Sequence, residues 1–296
     1  MVHVPGLGVG VLYQPVLDPL LRSADWPADY LEIIPDTLWH DAGRGAHPRF
    51  DVQHGVRSML ESVRERMPIL MHGIGLSIGS AGPLDEEYLE QFRSWADWLE
   101  CPWVSEHLAY SMAATDEGPV VAGLTLPVPL EQSTVDLIGP RLELLSGLLG
   151  VPVALENNVY YFRTPGESLS EPEVLNRLCR WGASSILLDV HNLYVNVRNG
   201  VLEADAYLKE LDLAAVREIH IAGGMEIDNF YVDAHSGLPP AEVWDLLDAV
   251  APQCGNLGGV TFEMLGSWFD TVGGDGLNAV LDRARKSLAA PEGMAP

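Results

Sequence analysis

The sequence predicts an α/β fold of the (β/α)8 TIM-barrel class, and three observations carry the prediction. Eight short apolar runs, bounded by Gly, Pro or polar residues, recur along the 296-residue chain, and runs of that length read as buried strands. Helical patterns separate most of them, and strand alternating with helix implies a parallel sheet. Six runs end in a metal-capable residue: PILMHG at His72, WVSEHL at His107, VPVALENN at Glu156, SILLDVHN at Asp189, REIHIAG at His220 and GVTFEM at Glu263. Such a group at the end of a buried strand is costly unless something pairs it. A barrel brings all its C-terminal strand ends to one mouth, where these groups can share a polar centre.

The elements follow in order. A first strand is expected at 7–12 and a helix at 15–24. DYLEII supplies the second strand, 29–34, followed by a polar loop, 35–51, with His40, His47 and several glycines. A helix at 52–66 leads to the third strand, 68–73. Asp85-Glu86-Glu87 opens the next helix, with Tyr88, Leu89, Phe92, Trp95, Ala96 and Leu99 at helical spacing; acidic residues in a first turn suit the helix dipole. The fourth strand, 102–108, precedes a long segment, 110–128, whose middle, SMAATDEGPVVAG, reads as mobile. A helix at 129–149 places Leu137, Ile138, Leu142, Leu145 and Leu149 on one side, ahead of a strand at 151–157. Helix 172–181, strand 185–190, helix 204–213, strand 217–222, helix 239–250, strand 258–264 and helix 276–289 complete the pattern. The whole chain, 1–296, reads as one barrel domain, with a disordered tail at about 290–296. A doubly wound open sheet is disfavoured, because no GxGxxG follows the first strand.

A hydrophobic content of 47% supports a substantial core, and no apolar stretch reaches transmembrane length. The start lacks the basic and long apolar regions of a secretory signal. Cys101, Cys179 and Cys254 are odd in number and widely spaced, which argues against a disulfide framework and for a cytoplasmic, reducing location. A net charge of −25 makes nucleic acid a poor partner and suits a basic peptide or protein.

His72, His107, Glu156, Asp189, His220 and Glu263 are therefore the candidate metal ligands, with Glu156 able to bridge two ions. Imidazoles and carboxylates without thiolates suit iron, manganese or zinc in a reactive site rather than structural zinc. Asp189-Val190-His191 puts two donors on one side if the strand persists, and Asp233-Ala234-His235 has the same spacing. Glu32 reads as a ligand or as a group that hydrogen-bonds ligands or substrate. Glu106 should face away from the centre and form a salt bridge. Asn157, Asn158 and Asn192 are candidate orienting or metal-binding groups. His3, His40, His47 and His54 lack strand-end context and read as structural or surface residues. Gly73, Gly75 and Gly79 could cradle an anion but more simply permit tight turns. Trp95 and Trp98 follow helix periodicity and belong to the core.

These segments together resemble the multinuclear non-haem iron-dependent oxidative enzymes, the DUF692 group, related to the methanobactin-biosynthesis oxidases. The carriers are YLEIIPD at 30–36, MHGIGLSIGS at 71–80, VSEHLAYS at 104–111, LENNVYYF at 155–162, LLDVHNLYVNVRNG at 187–200, EIHIAGG at 218–224, DAHSG at 233–237 and FEM at 262–264. The resemblance implies a TIM barrel holding two or three iron ions. It also implies dioxygen-dependent oxidation of a ribosomally made precursor peptide at a cysteine, with a companion protein presenting the peptide in some members. Carried onto this chain, His72, His107 and Glu156 would hold one iron. Glu156 would bridge to a second, held by Asp189, His220 and Glu263, and His191, Asp233 and His235 would hold a third. Glu156, Asp189 and His220 are then the expected catalytic residues. Many relatives carry Asn in place of His191, and here Glu263 stands without a second strand-end acid. The competing expectations are a zinc- or manganese-dependent sugar isomerase or phosphodiesterase on a similar barrel, and a non-catalytic binding module with a closed metal shell.

Overall fold

The computed structural model describes residues 6–23, 25–115, 118–162 and 166–289. The chain begins with β1 (Gly8–Leu12), the single-turn α1 (Asp18–Leu21) and β2 (Tyr30–Ile33). A hairpin of β3 (Trp39–Asp41) and β4 (Phe50–Val52) precedes α2 (His54–Arg64), β5 (Ile69–Gly73) and α3 (Glu86–Leu99). After β6 (Val104–His107), the ribbon β7 (Ala109–Thr115) and β8 (Gly118–Pro127) leads to α4 (Gln132–Leu149), β9 (Val153–Glu156) and α5 (Glu171–Leu178). Then come β10 (Ser184–Asp189), α6 (Val190–Arg198), α7 (Ala204–Glu210) and β11 (Val216–Ala222). A third hairpin, β12 (Met225–Ile227) and β13 (Phe230–Val232), precedes α8 (Ala241–Val250), β14 (Gly259–Glu263) and α9 (Phe269–Leu288).

Eight strands close a parallel barrel in the order β1-β14-β11-β10-β9-β6-β5-β2, as the alternating pattern predicts. Strand alternation divides the side chains between two cores. Leu31, Ile33, Ile69, Met71 and Val104 pack outward in the main core beneath the helices. Tyr30, Leu70 and Trp103 form a separate cluster, which plugs the barrel interior. Gly10 and Gly259 make room for it: a Cβ at Gly10 would stand 2.1 Å from the Tyr30 ring, and one at Gly259 would stand 2.6 Å from its hydroxyl. Beyond this plug, towards the C-terminal strand ends, the interior residues turn polar.

The helices start where local chemistry caps them. Asp85 accepts the Tyr88 N–H at the start of α3, and Ser170 with Glu173 forms a capping box on α5. Asp189 accepts the N–H groups of His191 and Asn192 and so opens α6. That helix was not expected, and it corrects the reading of Asp189 and His191 as donors on one strand face. The strand stops at Asp189, and His191 already lies in a helical turn.

The loops 35–51 and 110–128 also differ from expectation, since a two-stranded ribbon forms in each, and the connection between β11 and α8 holds a third, β12 with β13. Around 110–128, residues 116–117 lie outside the described residues, but their flanks pair from Ala109↔Pro127 to Thr115↔Gly118. The tail 290–296 and His3 also lie outside the described residues. His40, His47 and His54 are exposed, Trp95 is buried, and Trp98 packs partly buried on the core. Gly73 and Gly75 are packed against Glu106, Phe92, Asp36 and Tyr88, which supports close packing over an anion cradle. Among the described residues, no helix is long and apolar enough to cross a membrane.

Glu106 does face away from the barrel interior, but the expected salt bridge is absent among the described residues. Its Oε1 accepts the His107 N–H at 3.2 Å, and its Oε2 is buried without a partner. Burial, reinforced by the Asp36 carboxylate, pushes its pKa well above the usual carboxylate range. The acid group is therefore destabilising wherever the unfolded chain would ionise it. Glu106→Gln is expected to stabilise the protein by about 1–3 kcal/mol near pH 8, with the gain fading below about pH 5. Urea unfolding at both pH values checks this, and a destabilised variant at pH 8 would show that the carboxylate is paired.

Candidate metal centre

The six strand-end residues meet at the barrel mouth. Glu156 Oε2 lies 3.4 Å from His72 Nε2 and 3.0 Å from His107 Nδ1. Glu263 Oε2 lies 3.3 Å from His220 Nδ1 and 2.8 Å from His235 Nε2. The rings of His72 and His107 are 4.6 Å apart, and those of His72 and His220 are 5.3 Å apart. Two sets of ligand atoms each fall within 4.8 Å: His72, His107 and Glu156, and then Glu156, Asp189, His220 and Glu263. Glu156 belongs to both, the position a bridging carboxylate needs. Beside them, Asp233 Oδ1 is 3.1 Å from His191 Nδ1 and 3.2 Å from His235 Nδ1.

The backbone explains why these groups hold their positions. The cap of α6 occupies one oxygen of Asp189 and leaves Oδ2 buried and free. Asn157 exchanges two hydrogen bonds with the Asp189 backbone, at 2.7 and 3.0 Å. Asn192 and Asn196, one turn apart on α6, donate to the carbonyls of Asn157 and Asn158. Asn192 also donates to Glu156 Oε1 at 3.3 Å. Asn158 donates to the Leu108 carbonyl. The asparagines beside the strand ends are thus orienting groups, and the segment after β9 is tied to α6 and β6.

Below the mouth is a group that the sequence reading passed over. Glu218, two residues before His220 on β11, faces the same interior. Glu218, Glu32 and His220 are all fully buried, and their ligand atoms fall within 4.8 Å. The period-2 spacing E-x-H is the signal that could have revealed Glu218.

Many of these atoms have no hydrogen-bond partner. His107 Nδ1, Glu156 Oε2, Asp189 Oδ2, Asp233 Oδ1 and both nitrogens of His191 and His220 are buried and unsatisfied among the described residues. Buried polar atoms are normally paired, so donors this close together without hydrogen-bond geometry fit shared cations. Electrostatics agrees. Burial, then the Asp189 charge, pushes Glu156 well above the carboxylate range. Burial raises Asp189 to about 6, and burial with Glu218 raises Glu32 to about 7. Burial holds His107 down at about 4 and His72 well below its ordinary value. For His220 and His235 burial opposes charge, but facing carboxylates outweigh it and hold both well above the imidazole range. Without a cation, the centre balances its carboxylates by retaining protons.

The centre is open on one side. A cavity of about 190 Å³ reaches His107, Glu156 and Asp233 and is rimmed by Leu124, Tyr161 and Phe162. Those three rim side chains are 60%, 48% and 55% exposed, so an apolar lip surrounds a polar floor. This opening disfavours the closed shell of a purely structural metal site.

Residues 6–265 match the profile of the family described as RiPP precursor modification enzyme MbnB/TglH/ChrH. A UPF0276 protein of Neisseria meningitidis serogroup C (strain 053442) is 32% identical over 243 residues, covering 81% of each chain. A UPF0276 protein of Caulobacter vibrioides (strain NA1000 / CB15N) is 30% identical over 285 residues, covering 96% of this chain and 95% of its own. Among solved structures, a D-psicose 3-epimerase with D-tagatose from Clostridium cellulolyticum H10 has a TM-score of 0.58 at 12% identity, covering 96% of this chain and 100% of its own. Endonuclease IV from Thermus thermophilus has a TM-score of 0.56 at 16% identity, covering 96% of this chain and 99% of its own. These two structures show the barrel fold alone.

The proton inventory has a consequence for stability. Groups with raised pKa values, here Glu32, Glu156, Asp189, His220 and His235, stabilise the fold at low pH and lose that contribution as pH rises through their folded values. His72 and His107, with lowered values, act in the opposite direction but only below their ordinary value of 6.5. The melting temperature of metal-free protein should therefore fall between about pH 7 and pH 9. Saturating divalent cation should flatten the slope and raise the melting temperature throughout. Glu156→Gln should raise the melting temperature of the metal-free protein while shrinking the response to cation. Thermal denaturation across this range tests it, and a metal-free protein that gains stability towards pH 9 would contradict it.

Proposed function

The chain belongs to the RiPP precursor modification enzyme family MbnB/TglH/ChrH, and from that premise we propose that it is an iron- and dioxygen-dependent enzyme. In this reading it oxidatively modifies a side chain, cysteine by our assignment, of a ribosomally made precursor peptide. The observation that carries the reading is the set of buried, unpaired imidazole and carboxylate atoms grouped beneath an open cavity.

The donor set fits iron. It is rich in nitrogen and oxygen, has no cysteine among the clustered groups, and leaves an open side. His72, His107 and Glu156 would hold one ion, and Glu156, Asp189, His220 and Glu263 a second. His191, Asp233 and His235 would hold a third. Bound iron would supply the electron-transfer and dioxygen chemistry that amino-acid side chains lack. Glu156, Asp189 and His220, three of the four groups around which the second ion would sit, are the assigned catalytic residues.

The remaining work falls to the chain itself. Asn192 and Asn157 hold Glu156 and the Asp189 backbone in place. Leu124, Tyr161 and Phe162 give one side of the opening an apolar rim. On the far side of Asp233, the hairpin of β12 and β13 exposes Ile227 and Phe230. A peptide lying across the mouth between these ribbons would place one side chain in the cavity. The net charge of −25 would favour a leader segment or presenting protein carrying Lys and Arg. Three unpaired cysteines fit a cytoplasmic enzyme.

Iron-loaded protein incubated in air with a cysteine-containing precursor encoded beside its gene should produce a mass change that requires both iron and dioxygen. His220→Ala should abolish the change while leaving the protein folded. Turnover of a free sugar or a phosphodiester by zinc- or manganese-loaded protein, with the peptide unaltered, would replace this reading with the isomerase or phosphodiesterase alternative.

A further inference from the structure

Glu32 lies beneath the centre, fully buried, on the strand β2 that contributes none of the ligands assigned above. Its two oxygens face two different histidines. Oε2 is 3.0 Å from His220 Nε2. Oε1 is 3.5 Å from Ser105 Oγ, which is itself 2.9 Å from His72 Nδ1. We propose that Glu32 is a positioning residue that sets the proton on both histidines and so aims their lone pairs at the ions. The proposal rests on the metal reading above and concerns how the ligands are oriented.

The proton directions follow from the neighbours. Glu218 accepts the indole N–H of Trp103 through Oε2 and the hydroxyl of Thr261 through Oε1, both at 2.7 Å. Indole can only donate, so Glu218 faces this network as an acceptor. His220 Nε2 lies beside two carboxyl groups, Glu32 at 3.0 Å and Glu218 at 3.7 Å, with hydrogen-bond geometry to neither. A lone pair pointing at two carboxylates would be repelled, so Nε2 carries the proton. Nδ1, 3.3 Å from Glu263 Oε2, is then the free nitrogen and faces Glu156, Asp189 and Glu263. On the other side, the Ser105 hydroxyl would donate to Glu32 Oε1 across the long 3.5 Å contact and accept from His72 Nδ1 at 2.9 Å. His72 Nε2 is left free, 3.4 Å from Glu156 Oε2. One acid therefore sets opposite tautomers on two histidines from different strands, and each tautomer directs its lone pair into the cluster. A carboxylate behind a ligating histidine fixes its orientation, and its loss typically costs ~10–100-fold in metal affinity.

The test uses protein labelled with nitrogen-15 in its histidine rings and loaded with zinc, a diamagnetic probe. Two-bond nitrogen–proton correlations should show His220 protonated at Nε2 and His72 at Nδ1. Glu32→Gln should disturb both patterns and weaken zinc binding ~10–100-fold, Glu32→Asp should restore part of the affinity, and Ser105→Ala should disturb His72 alone. His220 protonated at Nδ1, or unprotonated at both nitrogens because an ion sits between it and Glu32, would overturn the proposal. So would a folded Glu32→Gln protein with wild-type affinity and correlations. If Glu32→Gln does not fold, the wild-type pattern and Ser105→Ala still decide. A wild-type protein that takes up no zinc or iron would sink the metal reading itself, a result distinct from zinc bound with the wrong histidine protons.

Discussion

The structure depends on one electrostatic constraint: more carboxylates and imidazoles are buried in the barrel than the protein can pair. Glu32, Glu156, Asp189, Glu218 and Glu263 all lie at or below 4% exposure around His72 and His220. Removing a charge from water is costly unless an opposite charge or hydrogen bonds compensate it. Here the compensation is uneven. Glu218 accepts one hydrogen bond on each oxygen, from Trp103 and Thr261, whereas Glu156 and Asp189 each retain an unpaired oxygen. Bound cations would resolve this imbalance, and retained protons would resolve it in their absence. A buried cluster of perturbed groups of this kind marks a candidate functional site.

The rest of the architecture serves that cluster. The Tyr30, Leu70 and Trp103 plug closes the barrel below, and Gly10 and Gly259 admit its rings. Above it, α6 acts as a brace: its cap fixes Asp189, and its asparagines fix the segment after β9. The first hairpin is held on α3 by Arg49, which reaches Asp41, Asp85 and Glu87, and by the packing of Trp39 on Trp95. The exposed apolar side chains Leu124, Tyr161 and Phe162 stand at the rim of the cavity.

The barrel was legible because parallel strands buried on both faces read as continuous apolar runs, and their polar ends mark the mouth. The strand-end donors were legible for the same reason. Helix α6 was not, although Val190, Leu193, Tyr194 and Val197 fall at helical spacing, because VHNLYVNVR is rich in β-branched residues and Asn and follows a strand without a break. Its start signal, Asp189, was read as a ligand alone, although one of its oxygens caps and the other is free. The ribbons β3–β4 and β12–β13 were hidden because strands of three residues leave little periodicity. Glu106 shows the limit of face assignment: alternation gives the direction of a side chain but not whether a cation waits there. Glu218 was overlooked because it lies mid-strand, beneath the ends that drew attention.

An anomalous difference map at the iron edge, from crystals of iron-loaded protein, tests the central claim most directly. The account predicts one peak among His72, His107 and Glu156, and a second among Glu156, Asp189, His220 and Glu263, with Glu156 contacting both. A map with no peak at the mouth, or with Glu156 turned away from the iron that is bound, would contradict it.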